Sequence, residues 1–265
     1  MADTTVDLAA APASPAATTS APPDSPPTAA ASTTATAASA AVSAAVTATD
    51  AAVAALFGCA PGAAHGAIHA ALSERFLRSV DAGWELRVAA SSVANGGAGV
   101  HLAGRAAAGA VLACYPGVSF EADDLKVMHG IVLSGNDYVL ARRDGVLIDG
   151  RPDGASAQLR AVAQARDRRP PPPAAAEAFA VGNMVNHPPR FTRPNVVVFP
   201  FDLPAGDPLE PYVPVSPFRP PADGDPARRT AVLIAARDLE DEELWLDYKL
   251  SAGSPPPWYA PVAAS

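Results

Sequence analysis

The chain contains 265 residues with a formal net charge of −8, and its charged residues are divided unevenly along its length. All 19 lysines and arginines lie after residue 74, and 22 of the 27 acidic residues lie in the same part of the chain. This balance excludes a broad basic surface of the kind that binds a nucleic-acid backbone. The 29 prolines and 19 glycines indicate that part of the chain does not pack into a core, since such segments bury little apolar surface.

Residues 1–50 are a low-complexity segment of alanine, serine, threonine and proline, with no aromatic residue, lysine or arginine. We expect a disordered tail here, because its apolar side chains are too small and too few to offset the entropy lost on ordering. The segment resembles neither a secretory signal, which begins with positive charge, nor an arginine-rich transit peptide. We therefore expect the protein in the nucleus or cytoplasm, without a membrane span.

Residues 51–84 are predicted to form a helical N-terminal segment. Ile68, Leu72, Phe76 and Val80 recur at intervals of four residues. This spacing is typical of an amphipathic helix and predicts one over Ala64–Val80.

The histidines and cysteines do not form a metal-binding pattern. His65 and His69 would share one helix face, but Gly66 stands where a zinc protease has its glutamate. Cys59 and Cys114 have no partner at the spacing of metal ligands. We therefore predict no metal site.

Beyond Gly83 the sequence changes to short apolar or β-branched runs bounded by turn-forming residues, which predicts a β-rich domain. Arg143–Val146 contains Asp-Gly, which favours a hairpin with a type I′ turn. Residues 151–179 and 202–229 are predicted to be mobile insertions, because both are rich in proline and charged residues. Residues 251–265 are assigned to a C-terminal tail. The predicted strands are Glu85–Ala90, Gly99–Leu102, Ala110–Tyr115, Tyr138–Ala141, Val146–Ile148, Val196–Phe201 and Ala231–Ala236.

Phosphate-binding, dinucleotide-binding and serine-hydrolase signatures are missing from the sequence. Four other short motifs occur in order along the β-rich region. They are Gly99-Val100, then Tyr115-Pro116-Gly117, then Gly182–His187 with Arg193–Val196, and finally Glu242–Tyr248. In this order they resemble the SET-domain protein lysine methyltransferases. The ordered set carries the resemblance, because each motif alone is degenerate.

Residues Asp144–Gly150 and the long gap between Asn186 and Asn195 are most similar to the subfamily called SET domain-containing protein 9. The resemblance implies a mainly β fold over residues 85–250, the SET-domain β-clip with a pseudoknot. In that arrangement the closing motif threads the segment that follows Asn-His. It further implies that S-adenosylmethionine binds on one face, while the lysine of a protein or peptide substrate enters a channel from the opposite face.

The resemblance also implies roles for individual residues. Cofactor binding is implied for Gly99, Val100, Asn186 and His187, catalysis for Tyr248 and Tyr115, and a position in the lysine channel for Tyr115 and Leu246. Methyl transfer from a sulfonium to an amine is an in-line displacement without a metal, so positioning and electrostatics supply its rate. A free lysine, with a pKa of about 10.4, is protonated at neutral pH. A dry channel near a positive sulfonium would favour the neutral, reactive amine.

The sequence departs from the wider family at several positions. Pro188 and Pro189 replace the Ser-Cys that usually follows Asn-His, and Leu246 stands where phenylalanine or tyrosine is usual. Local explanations remain open for Tyr115 as a core aromatic, Tyr248 as a surface tyrosine and Asn186 as a cap. Two other functions also remain open: a catalytically weak or inactive SET module that binds a protein segment by strand addition, and a plain β-rich interaction domain.

Overall fold

The computed structural model describes residues 50–60, 65–166, 174–249 and 259. The predicted tails at residues 1–50 and 251–265 lie outside these residues, except for Asp50 and Tyr259. The helices within the described residues are α1 (50–56), α2 (His65–Val80), α3 (Ala122–Leu133), α4 (Gly154–Arg166) and α5 (Ala174–Phe179), with short 3₁₀ helices at Gly182–Met184 and Glu210–Tyr212. The strands are β1 (Glu85–Ala90), β2 (Ala98–Ala103), β3 (Arg105–Ala106), β4 (Val111–Cys114), β5 (Gly117–Phe120), β6 (Val139–Ala141), β7 (Leu147–Asp149), β8 (Val196–Leu203), β9 (Val215–Pro217), β10 (Arg228–Ala235) and β11 (Leu239–Glu240).

Helices and strands occupy nearly equal shares of the described residues, so the fold is mixed rather than mainly β. The sequence analysis missed α3, because this helix lacks a clean apolar stripe. Its Val127 is 75% exposed and Ile131 is 48% exposed, while Val132 is fully buried. None of the described helices is both long and apolar enough to cross a membrane.

Helix α2 confirms the predicted amphipathic helix. Its Ile68, Leu72 and Phe76 are buried, and the ring of Phe76 lies 5.3 Å from that of Phe179 in α5. Burial of each such side chain contributes about 1.5–3 kcal/mol of transfer free energy. The predicted stripe therefore forms one side of the main core.

Strand β10 lies at the centre of the antiparallel sheet β4-β10-β8. Because side chains alternate along a strand, β10 serves two cores. Val232 and Ile234 pack into the core that contains α2. Leu233 and Ala235 pack into a second core, which contains β2 and residues near the C-terminal end of the described chain.

A second sheet has the order β6-β7-β5-β9, with β5 and β9 parallel. The predicted hairpin joins β6 to β7, but the prediction of a type I′ turn was wrong. Within residues 142–146 only Gly145 has a positive φ, of 87°, whereas a type I′ turn requires two such residues. The Arg142 guanidinium donates to both carboxylate oxygens of Asp144, at 2.6 and 3.1 Å. This contact holds the loop of residues 142–146, which is longer than a two-residue turn.

The two predicted insertions contain regular structure. Residues 151–179 include α4 and α5, in which Ala163 and Phe179 are buried. Residues 202–229 include β9, which pairs with β5. The mobility of both segments stays a prediction.

Residues 242–248, here called the closing segment, hydrogen-bond to several parts of the chain. On one side the backbones of Glu242 and Leu244 bond to β2, at 2.8 Å each. The Leu246 N–H donates to the Asn186 carbonyl at 2.9 Å, and the Trp245 carbonyl accepts from Val196 N–H at 3.1 Å. The closing segment thus joins three parts of the chain that are far apart in sequence.

The side chain of Asn195 is fully buried against the closing segment. Its Oδ1 accepts from the Trp245 N–H at 2.6 Å. Its Nδ2 donates to the Glu243 carbonyl at 2.8 Å and to Glu242 Oε2 at 3.0 Å. This one amide therefore satisfies two backbone groups that a short irregular segment cannot pair internally.

We predict that Asn195→Ala lowers the free energy of unfolding by about 3 kcal/mol or more, since each buried group left unpaired costs about 1–3 kcal/mol. Urea denaturation followed by tryptophan fluorescence measures the change. The control is Thr192→Ala, which alters an exposed residue nearby and should leave stability within about 0.5 kcal/mol. Equal stability of the two variants would contradict the role given to Asn195.

Candidate functional site

Tyr248 lines two neighbouring cavities, and Asp137 and Asn183 also line both of them. The first, here called the glycine-loop cavity, has a volume of about 380 Å³ and is walled by residues 93–98. The second, here called the two-tyrosine cavity, has a volume of about 460 Å³ and is lined by Tyr115 and Tyr248. Both volumes lie in the range that is usual for small-molecule sites.

The wall of the glycine-loop cavity is the connection between β1 and β2. Residues 93–98 contribute mostly small side chains, so backbone forms much of this wall. Asn95 and Gly97 both have φ of 63°, a left-handed conformation that asparagine and glycine adopt more easily than other residues. The rest of the lining consists of Asp137, Tyr138, Asn183, Met184, Asn186, His187 and Tyr248.

Asn186 connects this wall to the closing segment. Its Nδ2 donates to the Ala98 carbonyl at 2.9 Å and lies 3.4 Å from the Gly96 carbonyl. Its own carbonyl accepts from the Leu246 N–H. The amide of Asn186 therefore fixes the end of the loop that leads into β2.

His187 is buried between aromatic rings. Its Nδ1 accepts from the Tyr248 N–H at 3.3 Å, and the ring centroids of the two residues are 5.6 Å apart. The ring of Tyr259 lies 4.6 Å from the imidazole. Asn186, His187 and Tyr248 thus line the same cavity, and the roles given to them in cofactor binding and catalysis stay predictions.

The hydroxyl of Tyr248 donates to the Val185 carbonyl at 3.0 Å. Burial raises the pKa of Tyr248 to about 12. The phenol is therefore protonated at neutral pH, so it acts there as a hydrogen-bonding group and not as a base.

Tyr115 lines the two-tyrosine cavity, and two nearby glycines, Gly117 and Gly150, pack closely against neighbouring atoms. A Cβ added to Gly117 would lie 2.0 Å from the Asp149 carbonyl oxygen, and one added to Gly150 would lie 2.9 Å from the Tyr115 ring. Glycine is required at Gly117 because β5 and β7 approach so closely, and at Gly150 because the Pro116 carbonyl and the Tyr115 ring lie against it. Burial, together with Tyr248, raises the pKa of Tyr115 well above the usual range, so this phenol also stays protonated.

Apolar side chains line another part of the two-tyrosine cavity. They come from Val185, Val198 and Leu246, and Leu246 is almost fully buried. The predicted channel residues Tyr115 and Leu246 therefore line one cavity, although they are far apart in sequence.

Gly99 and Val100 lie behind the wall of the glycine-loop cavity and are not among its lining residues. A Cβ on Gly99 would lie 2.1 Å from Glu243 Oε1, and Val100 is fully buried in the second core. The cofactor-binding role given to these two residues stays a prediction.

The sequence analysis assigned no role to several residues that the fold brings to the cavities, chief among them Asp137, Tyr138 and Asn183. Asn183 belongs to the Asn-His motif, and its Nδ2 donates to the Gly150 carbonyl at 2.7 Å. Its place in the motif was a sequence signal from which it could have been predicted as a site residue. Within the described chain no three histidine, cysteine, aspartate or glutamate side chains are grouped as metal ligands.

The chain is similar to two curated proteins named SET domain-containing protein 9. The one from Homo sapiens is 31% identical over 179 residues, which covers 63% of this chain and 58% of the human protein. The one from Pongo abelii is 31% identical over 179 residues, which covers 63% of this chain and 64% of that protein. The match thus spans about three fifths of the length of these relatives. No protein-family model matches the chain. The similarity to both relatives confirms the resemblance to the SET-domain family that the ordered motifs predicted.

Proposed function

We propose that this chain is an S-adenosylmethionine-dependent protein-lysine methyltransferase. The observation that carries the proposal is that Tyr248 lines two cavities. A methyl transfer needs a donor and an acceptor that approach one point from different sides. In this proposal the cofactor occupies the glycine-loop cavity and the substrate lysine occupies the two-tyrosine cavity.

The residues of the glycine-loop cavity fit the cofactor. The glycine-rich backbone of residues 93–98, the amide of Asn186 and the imidazole of His187 can hydrogen-bond the polar groups of a nucleoside and an amino acid. Asp137 lines both cavities, and the negative charge of its carboxylate suits a cationic ligand. When bound, the cofactor supplies a methyl group activated by its positive sulfur.

The two-tyrosine cavity fits a lysine side chain. Its apolar residues, among them Val185 and Leu246, suit the aliphatic stem, while the hydroxyls of Tyr115 and Tyr248 suit the amine. Displacement of water from this cavity favours the neutral amine, whose lone pair is the nucleophile. The nitrogen then bonds the methyl carbon as the carbon–sulfur bond breaks, and the excess proton passes to water.

The pseudoknot forms part of this proposal. It is supported by the backbone hydrogen bonds of the closing segment to Asn186 on one side and to Asn195 and Val196 on the other. In such a knot, the hydrogen bonds on the two sides of the closing segment hold Tyr248 and Leu246 at the cavities.

A second function, protein binding without catalysis, is favoured by the exposed strand β1. Among the described strands it pairs only with β2, and five of its six residues are exposed. A peptide could add as a further strand at this edge. Transfer of labelled methyl from S-adenosylmethionine to a lysate protein distinguishes the enzyme from the binding module.

We predict that Tyr248→Phe lowers methyl transfer to a lysate protein at least 100-fold while the dissociation constant for S-adenosylmethionine changes less than about threefold. The reason is that the hydroxyl acts mainly at the transferring methyl group. Scintillation counting measures transfer and calorimetry measures affinity. The control Tyr212→Phe alters a tyrosine that packs on Phe76 and should change neither value. Retained transfer in Tyr248→Phe would contradict the proposed chemistry.

For Asn186→Ala we predict the opposite pattern, with the affinity for S-adenosylmethionine reduced about tenfold or more. Loss of the bonds to Gly96 and Ala98 frees one end of the cavity wall. Calorimetry measures the affinity, and circular dichroism checks that the variant is folded. Unchanged affinity in a folded variant would rule out this role for Asn186.

The size of residue 246 should set the methylation product. Leucine is smaller than tyrosine and has no hydroxyl, so we expect the wild-type protein to proceed beyond monomethyllysine. We predict that Leu246→Tyr shifts the product toward monomethyllysine without abolishing turnover, because the ring fills the cavity. Mass spectrometry of a methylated protein measures the product distribution. A wild-type protein that stops at monomethyllysine after long incubation would contradict this prediction.

A further inference from the structure

Glu243 is 6% exposed, and its carboxylate accepts hydrogen bonds from the start of the β1–β2 loop. Ser91 Oγ donates to Oε1 at 2.7 Å. Ser92 donates to Oε2 from both its N–H and its Oγ, at 2.8 Å each. One side chain of the closing segment thus accepts three hydrogen bonds from two consecutive loop residues.

These bonds hold the loop at the end opposite to the one that Asn186 holds. Ser91 and Ser92 follow β1 directly, whereas Asn186 bonds the carbonyl of Ala98 at the start of β2. Residues 93–98, which form the cavity wall, lie between these two attachments. The shape of the wall therefore depends on both.

The packing around Glu243 fixes its carboxylate in this place. A Cβ on Gly99 would lie 2.1 Å from Oε1, so only glycine at that position leaves room for the carboxylate. The Nε2 atom of His101 lies 3.9 Å from Oε2 on another side. Bonds from a carboxylate to N–H and O–H donors are among the stronger hydrogen bonds in proteins.

We propose that Glu243 is a positioning residue that fixes residues 91–98 in the shape the cofactor requires. Docking of the closing segment then forms the wall of the glycine-loop cavity in the same event that places Tyr248. This inference rests on the proposed function for the identity of the ligand, S-adenosylmethionine. The attachment of the loop to Glu243 is independent of that identity.

The test compares Glu243→Gln with Glu240→Gln. In Glu243→Gln only one of the two side-chain acceptors remains, because an NH₂ group cannot accept from Ser91 or Ser92, and the charge that strengthens these bonds is lost. The matched control Glu240→Gln changes an exposed glutamate that pairs with Arg105 and lies outside both cavities. Hydrogen exchange measures the order of the loop, calorimetry measures the affinity for S-adenosylmethionine, and steady-state kinetics separate KM from kcat.

In Glu243→Gln we expect amide exchange of residues 91–98 to become at least tenfold faster, while amides of β10 stay unchanged. The affinity for S-adenosylmethionine should fall about tenfold and its KM should rise, with kcat at saturating cofactor changed less than twofold. Glu240→Gln should match the wild type in every measurement. Equal loop exchange in the two variants, or faster exchange with unchanged cofactor affinity, would overturn the proposal.

Ser91→Ala removes the bond that Oγ donates to Glu243 and the one that it accepts from the Val93 N–H, and it leaves the core intact, so it gives a second test if Glu243→Gln does not fold. We expect a smaller change in the same direction, and unchanged loop exchange in Ser91→Ala would overturn the proposal. If the wild-type protein binds no S-adenosylmethionine, the proposed function fails. In that case the exchange data alone decide whether Glu243 orders the loop.

Discussion

The buried amide of Asn195 is the interaction on which the closing segment depends. A stretch without regular secondary structure has backbone groups that it cannot pair internally, and burial of such groups is costly unless another part of the chain bonds them. Asn195 bonds both the Trp245 N–H and the Glu243 carbonyl from one side chain. Its position directly before β8 means that the same residue also fixes where the strand of the central sheet begins.

Several functional positions follow from this one attachment. Along residues 243–248 the side chain of Glu243 holds the β1–β2 loop, Leu246 lines the two-tyrosine cavity, and Tyr248 lines both cavities. These six residues therefore contribute to both sides of the candidate site. A displacement of the closing segment would alter both cavities together, which makes their geometries dependent on each other.

The sequence by itself determined the elements with clear periodicity. The four-residue spacing in α2 and the β-branched runs of β1, β8 and β10 predicted those elements to within a few residues, because local side-chain pattern decides which face is buried. The ordered motifs predicted the family and brought attention to Asn186, His187, Tyr115 and Tyr248. Helices α3, α4 and α5 were missed, since their exposed apolar residues or short lengths hide the helical pattern.

Only the tertiary structure decided how the motifs share a site. Asp137 and Tyr138 precede a short strand, and nothing in their local sequence indicates that they face residues 93–98 and 183–187 across a cavity. The motif glycine Gly99 drew attention as a cofactor residue, yet the fold places it against Glu243, with Gly96 and Gly97 in the wall instead. Such contacts join segments that are far apart in the sequence, by about 150 positions in the case of Gly99 and Glu243. They arise from packing and hydrogen bonding between those segments, which a local pattern does not encode.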